Sequence, residues 1–139
     1  MSEMTVADLM SPDVVTLDRN DELGLADQVM SLGRIRHLPV LDEDGAVAGV
    51  LSQRDLFRSG LIRALGYGTA AEHKLLKVIR VKEVMTSHVE TVAPSAPIRD
   101  AARKMVEAKI GCLPVVDGDS LVGLLTESDF VRVFAEGLK

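Results

Sequence analysis

Tryptophan is absent from this 139-residue chain, and one tyrosine and three phenylalanines are its only other large aromatics. So sparse a set, 3% of the residues, offers no stacking surface for single-stranded nucleic acid. The single cysteine, Cys112, has no second thiol to pair with in this chain, and with three scattered histidines it makes no zinc-ligand spacing. Basic residues are the minority charge: 16 Lys and Arg against 21 Asp and Glu leave a net charge of −5 and a pI near 5.2. That is the wrong sign for a general nucleic-acid or anionic-membrane binder, although local basic residues could still hold a phosphate. No apolar run approaches the ~20 residues that cross a bilayer, and Met1-Ser2-Glu3-Met4-Thr5 lacks the charged-then-apolar pattern of a secretory signal. The expected setting is the cytoplasm, with neither nucleic acid nor membrane as partner.

What the chain does contain, it contains twice: Val6 to Arg58 returns, shifted by about 75 positions, as Val81 to Arg132. Val6-Ala7-Asp8-Leu9-Met10 matches Val81-Lys82-Glu83-Val84-Met85, and Ile35-Arg36-His37-Leu38-Pro39-Val40 matches Ile110-Gly111-Cys112-Leu113-Pro114-Val115. At roughly 60 residues each copy alone is near the margin of stability, so the two are expected to share a core. The expected organisation is one copy over residues 1–64, a helical linker over 65–80 and a second copy over 81–139.

In each copy the pattern predicts a strand, a helix, two strands and a closing helix. Val14-Val15-Thr16-Leu17 and Val89-Glu90-Thr91-Val92 have the β-branched composition of strands. Leu23, Ala26, Val29 and Met30 recur at helical spacing, as do Ile98, Ala101, Ala102, Met105 and Val106, with Asp21 and Pro97 near the helix starts. Leu38-Pro39-Val40-Leu41 and Leu113-Pro114-Val115-Val116 read as strands covered on both faces. The acidic turns that follow, Asp42-Glu43-Asp44-Gly45 and Asp117-Gly118-Asp119-Ser120, lack the spaced ligands and closing Glu of a calcium loop and read as hairpins. Between the copies, Gly66-Tyr67-Gly68 should break an extended closing helix and Thr69 could cap another running to Val78. That segment is either a plain helical linker or an arm for a partner.

Chemistry concentrates in Gly-apolar-apolar-Ser/Thr-x-x-Asp, found as Gly49 to Asp55 and again as Gly123 to Asp129. A carboxylate in the first turn of a helix can accept two hydrogen bonds from a ribose diol, beside amides that favour an anion. The same spacing is also a capping box, which accounts for both residues as helix-start devices worth on the order of 1 kcal/mol. Repetition at the same place in both copies favours a ligand.

With Val81-Lys82-Glu83-Val84-Met85-Thr86, the two Ile-x-x-Leu-Pro-Val segments and the two Gly-to-Asp motifs in view, the chain is similar to a tandem pair of cystathionine-β-synthase (CBS) domains over nearly its whole length. The resemblance implies an α/β (α+β) fold of two pseudo-symmetric subdomains, each a small sheet with two packing helices, and two clefts between the copies for adenosine-containing ligands. It assigns Arg36, His37, Ser52 and Asp55 to a first cleft, closed by Thr86, Glu90 and Ile110. A second would use Gly111, Cys112, Thr126 and Asp129, closed by Ser11, Val15 and Ile35. It also implies a homodimer through helical faces and a protein partner acting in trans.

The two clefts differ in charge. Arg36, His37 and Arg54 flank the first, whereas Gly111, Cys112 and Ser128 stand at the matching positions of the second, beside Glu127. Arginine favours phosphate, so AMP, ADP or ATP is expected in the first cleft, with NAD or S-adenosylmethionine as further regulatory ligands. The second suits a neutral adenosyl group or none. No catalytic residue, required cofactor or metal is expected, because Asp55, Asp129 and Cys112 have no partner arrangement that would make them acid, base or nucleophile. The rival readings are an assembly subunit whose clefts bind nothing and, behind it, a small enzyme.

Overall fold

The apolar run around Pro39 forms the middle strand of a mixed sheet. In the computed structural model, which describes residues 3–59 and 77–137, β1 (Leu17–Asp18) runs parallel to β2 (His37–Leu41), and β2 pairs antiparallel with β3 (Val47–Ser52). Leu38, Pro39 and Val40 are buried, as a strand covered on both faces requires. Proline has no N–H to give a ladder, and β1 reaches only Val40 and Leu41 of β2, so Pro39 lies past the end of that pairing. A hairpin also forms in the second copy from β4 (Cys112–Asp117) and β5 (Ser120–Thr126), with the register shifting at Val115/Val116 just as it does at Val40/Leu41. Val92 bridges Val115 in parallel and stands where Leu17 stands in the first copy.

The expected strands 14–17 and 89–92 are therefore shorter than their composition suggested. A strand extends only as far as it has a neighbour, and β2 engages only Leu17 and Asp18, leaving Val15 46% exposed. The two amphipathic helices, α2 (Leu23–Gly33) and α4 (Ile98–Ala108), turn Leu23, Ala26 and Met30, and Ala101 and Met105, inward. Both end on a non-glycine residue in the left-handed region, Arg34 (φ 53°) and Lys109 (φ 57°). The reversed chain lets Ile35 N–H reach the Met30 carbonyl and Ile110 N–H the Met105 carbonyl, each at 3.1 Å. The closing helices are α3 (Gln53–Ser59) and α5 (Glu127–Glu136). The expected break at Gly66-Tyr67-Gly68, the cap at Thr69 and the helical residues from Leu61 to Leu76 lie outside the described residues. No helix among the described residues is long and apolar enough to cross a membrane.

Two units emerge, and they do not follow the order of the repeats. A central unit comprises Val15–Val89, and a terminal unit joins Met1–Val14 to Glu90–Lys139. Each thus takes its first segment from the other copy. Helix α1 (Val6–Leu9) puts Val6 and Leu9 into the terminal core with Met105, Leu113, Val115 and Leu125, while the short 3-10 helix Val81–Glu83 puts Val81 into the central core with Leu23, Met30, Leu38 and Leu51. Val6 and Val81 are fully buried, each worth about 1.5–3 kcal/mol. Backbone bonds follow the same exchange. Val6 N–H reaches the Ala96 carbonyl and Val81 N–H the Asp21 carbonyl, both at 2.9 Å.

The glycine of the repeated motif serves this exchange. Thr86 pairs with Val50 and Ser11 with Leu124, laying each incoming segment over the glycine before it. A Cβ on Gly49 would sit 2.5 Å from the Thr86 carbonyl oxygen and 2.7 Å from Met85 Sδ, and one on Gly123 would strike Met10 Sδ and crowd the Ser11 carbonyl. Gly49→Ala should therefore lower the stability of the central unit by about 1–3 kcal/mol, because backbone rather than a flexible tip has to move. Chemical denaturation checks this, and a variant as stable as the parent would show that Thr86 yields freely.

Candidate functional site

In both units the motif places its Ser or Thr at the end of the third strand and its Asp in the first helical turn. In the central unit Ser52 closes β3 opposite His37, and Gln53 N–H bonds the Arg36 carbonyl at 2.8 Å, so Arg36, His37 and Ser52 meet at one sheet edge. Ser52 N–H donates to Asp55 Oδ2 at 2.8 Å and Asp55 N–H to Ser52 Oγ at 3.1 Å. This is the reciprocal capping box, and it leaves Asp55 only 7% exposed. Arg36 and Arg54 are exposed, and His37 is half-buried. Thr86 lies across from Val50, two residues before Ser52.

The terminal unit repeats the arrangement with different chemistry. Cys112 faces Thr126, Glu127 N–H bonds the Gly111 carbonyl at 3.2 Å, and Ser11 pairs with Leu124. Thr126 donates to Asp129 Oδ2 through its N–H at 2.8 Å and its hydroxyl at 3.4 Å. The other carboxylate oxygen, Oδ1, accepts from Arg132 Nη2 at 2.6 Å. Arg132 was not among the residues expected at this edge, although its signal, an Asp and an Arg three apart on one helix, is plain in the sequence. Burial pushes the Cys112 thiol up to about 12, so at neutral pH it is a protonated core residue.

The remaining expected residues belong to the opposite units. Glu90 and Ile110 are in the terminal unit, while Val15 and Ile35 are in the central one. Ile35 and Ile110 are half-buried, each against the core of its own unit. The acidic turn 42–45 joins β2 to β3, and its oxygens build the turn: Asp42 Oδ1 accepts from Asp44 and Ala46 N–H, and Glu43 accepts from Arg19 and Asn20. A hydrogen bond from backbone, followed by those from Arg19 and Asn20, holds the Glu43 carboxyl below the usual range. Among the described residues no group of three or more His, Cys, Asp or Glu could hold a metal ion.

This doubled strand–helix edge coincides with a family pattern, since the CBS domain profile matches residues 6–61 and again 81–136. The chain belongs to the CBS domain family. The solved CBS domain pair of protein MJ0100, in complex with 5′-methylthioadenosine and S-adenosyl-L-methionine, is 27% identical to this one. Its TM-score is 0.80, covering 96% of this chain and 98% of that one. CBSX2 in complex with AMP is 29% identical, with a TM-score of 0.76 over 95% and 96% of the two chains. Homoserine O-acetyltransferase of Methanohalobium evestigatum is 31% identical over 98% of this CBS pair but 25% of its own length. The chain spans about a quarter to a third of the length of the first curated relatives it matches.

Proposed function

We propose that this CBS pair is a cytoplasmic regulatory module that binds an adenosyl small molecule and passes its occupancy to a protein partner in trans. The first site is the central edge: Asp55 for the ribose diol, Ser52 and Thr86 beside it, and Arg36, His37 and Arg54 for phosphate. AMP, ADP or ATP is the favoured ligand, with NAD and S-adenosylmethionine next. One observation carries the reading. A nearly buried carboxylate recurs at the same strand–helix junction in both units of a chain whose structural neighbours hold AMP, 5′-methylthioadenosine and S-adenosyl-L-methionine. Signalling then requires that the ligand bind one state of the protein more tightly than another.

Regulation is favoured over catalysis because the protonated, buried Cys112 is no nucleophile, and because most of the homologous acetyltransferase lies outside the match. A second reading, an assembly subunit, draws on the capping boxes, which give Ser52, Asp55, Thr126 and Asp129 a structural role without any ligand. Homodimerisation through helical faces is supported by Leu32 on α2 and Phe134 on α5, which are 87% and 95% exposed.

Thermal-shift titration with AMP, ADP, ATP, NAD and S-adenosylmethionine tests the proposal. A ligand at 100 times its dissociation constant should stabilise the fold by about 2.7 kcal/mol and raise the melting temperature by several degrees. No shift with any of the five would favour the assembly reading. Light scattering that returns the mass of one chain would remove the dimer from the proposal.

A further inference from the structure

The Asp129 carboxylate is 3% exposed, and both of its oxygens already have donors. Thr126 occupies Oδ2 and Arg132 occupies Oδ1, and of that ion pair only the guanidinium reaches solvent, with side-chain exposures of 51% for Arg132 and 4% for Asp129. A ligand diol approaching Oδ1 therefore has to displace Arg132. Within α5, Glu127-Ser128-Asp129-Phe130-Val131-Arg132, this arginine is also the basic residue closest to the carboxylate. The exposed half of the guanidinium gives it room to swing into solvent, provided that the buried carboxylate gains the ligand's hydrogen bonds in its place.

We propose that Arg132 sets the ligand preference of the terminal unit, admitting adenosyl ligands that carry phosphate and disfavouring those that do not. The inference rests on the adenosyl-binding reading above. Once displaced, the guanidinium loses its carboxylate partner. A nucleotide phosphate replaces that partner with the planar, charge-assisted geometry that arginine favours, whereas an uncharged nucleoside leaves the loss uncompensated. Gly111, Cys112 and Ser128 bring no cation to this edge, and Arg132 supplies one.

Calorimetric titration of the full chain with AMP and with adenosine tests this, using an Asp55→Asn background so that binding reports the Asp129 edge. Arg132→Ala should cut the preference for AMP over adenosine by about tenfold, the scale of one charge-assisted contact, with adenosine binding unchanged or tightened. Arg132→Lys should restore part of the preference. An unchanged ratio, or equal weakening of both ligands, would mean that Arg132 only props Asp129, and would overturn the inference. So would a background variant that binds neither ligand while the parent binds AMP, because the terminal unit would then have no site. A parent chain that binds neither would instead overturn the adenosyl reading itself.

Discussion

A fragment of residues 1–64, the first repeat as the sequence delimits it, is expected to be unfolded where a fragment of residues 15–89 melts cooperatively. The shorter repeat keeps β1, β2, β3 and α2 but lacks Val81, which is fully buried in their core. It also loses the pair of 3.0 Å hydrogen bonds between Val50 and Thr86 and the 2.9 Å bonds that Val81 and Lys82 N–H make to Asp21 and Arg19. Losing one buried valine costs about 1.5–3 kcal/mol. Each net hydrogen bond adds about 0.5–1.5 kcal/mol, which together is comparable to the whole stability of a domain this small. Circular dichroism melts of the two fragments decide it, and a cooperative melt from 1–64 that does not change with protein concentration would show that the exchanged segment is dispensable. The first copy carries its own equivalent, Val6-Ala7-Asp8-Leu9-Met10, so any folded 1–64 should be a concentration-dependent dimer in which one copy's segment fills another's core.

Legibility from sequence divides along the same line. The doubled pattern exposed the hairpins, the amphipathic helices and the position of the Ser/Thr-x-x-Asp boxes, because each is encoded by local spacing that the structure keeps. The exchange was not legible. Nothing in Val6-Ala7-Asp8-Leu9-Met10 says which core it enters, since both cores present the same glycine, Gly49 or Gly123, to the same kind of methionine. The first strands fall short of their composition for a related reason: Val14 and Val15 are β-branched, yet a ladder is fixed by its partner, and β2 stops at Leu41. At the site, comparing the copies position by position brought out Arg36 and Arg54 but passed over Arg132. It lies beyond the motif, one helical turn past Asp129, and an arginine stands there in both copies, as Arg58 and Arg132, so a comparison of differences does not bring it out.

Asp55→Asn is expected to abolish most ligand binding while leaving the unliganded protein nearly as stable as the parent. Asp55 has two separable tasks. Its Oδ2 accepts the Ser52 N–H, which an amide oxygen can also do, whereas gripping a ribose diol draws on the full carboxylate charge. Replacing charged acceptors by neutral ones should weaken an adenosyl ligand by roughly tenfold to a hundredfold. Asp55→Ala should lose binding and also about 1 kcal/mol of cap, lowering the unliganded melting temperature by a few degrees. Melting curves of the three proteins, with and without AMP, separate the tasks. If Asp55→Asn keeps the full AMP-induced shift, the carboxylate is a cap alone, and the phosphate contacts of Arg36 and Arg54 would have to carry the affinity. If it loses the shift while its unliganded melt is unchanged, the buried carboxylate is the ribose anchor, and the capping box is what holds it in place before the ligand arrives.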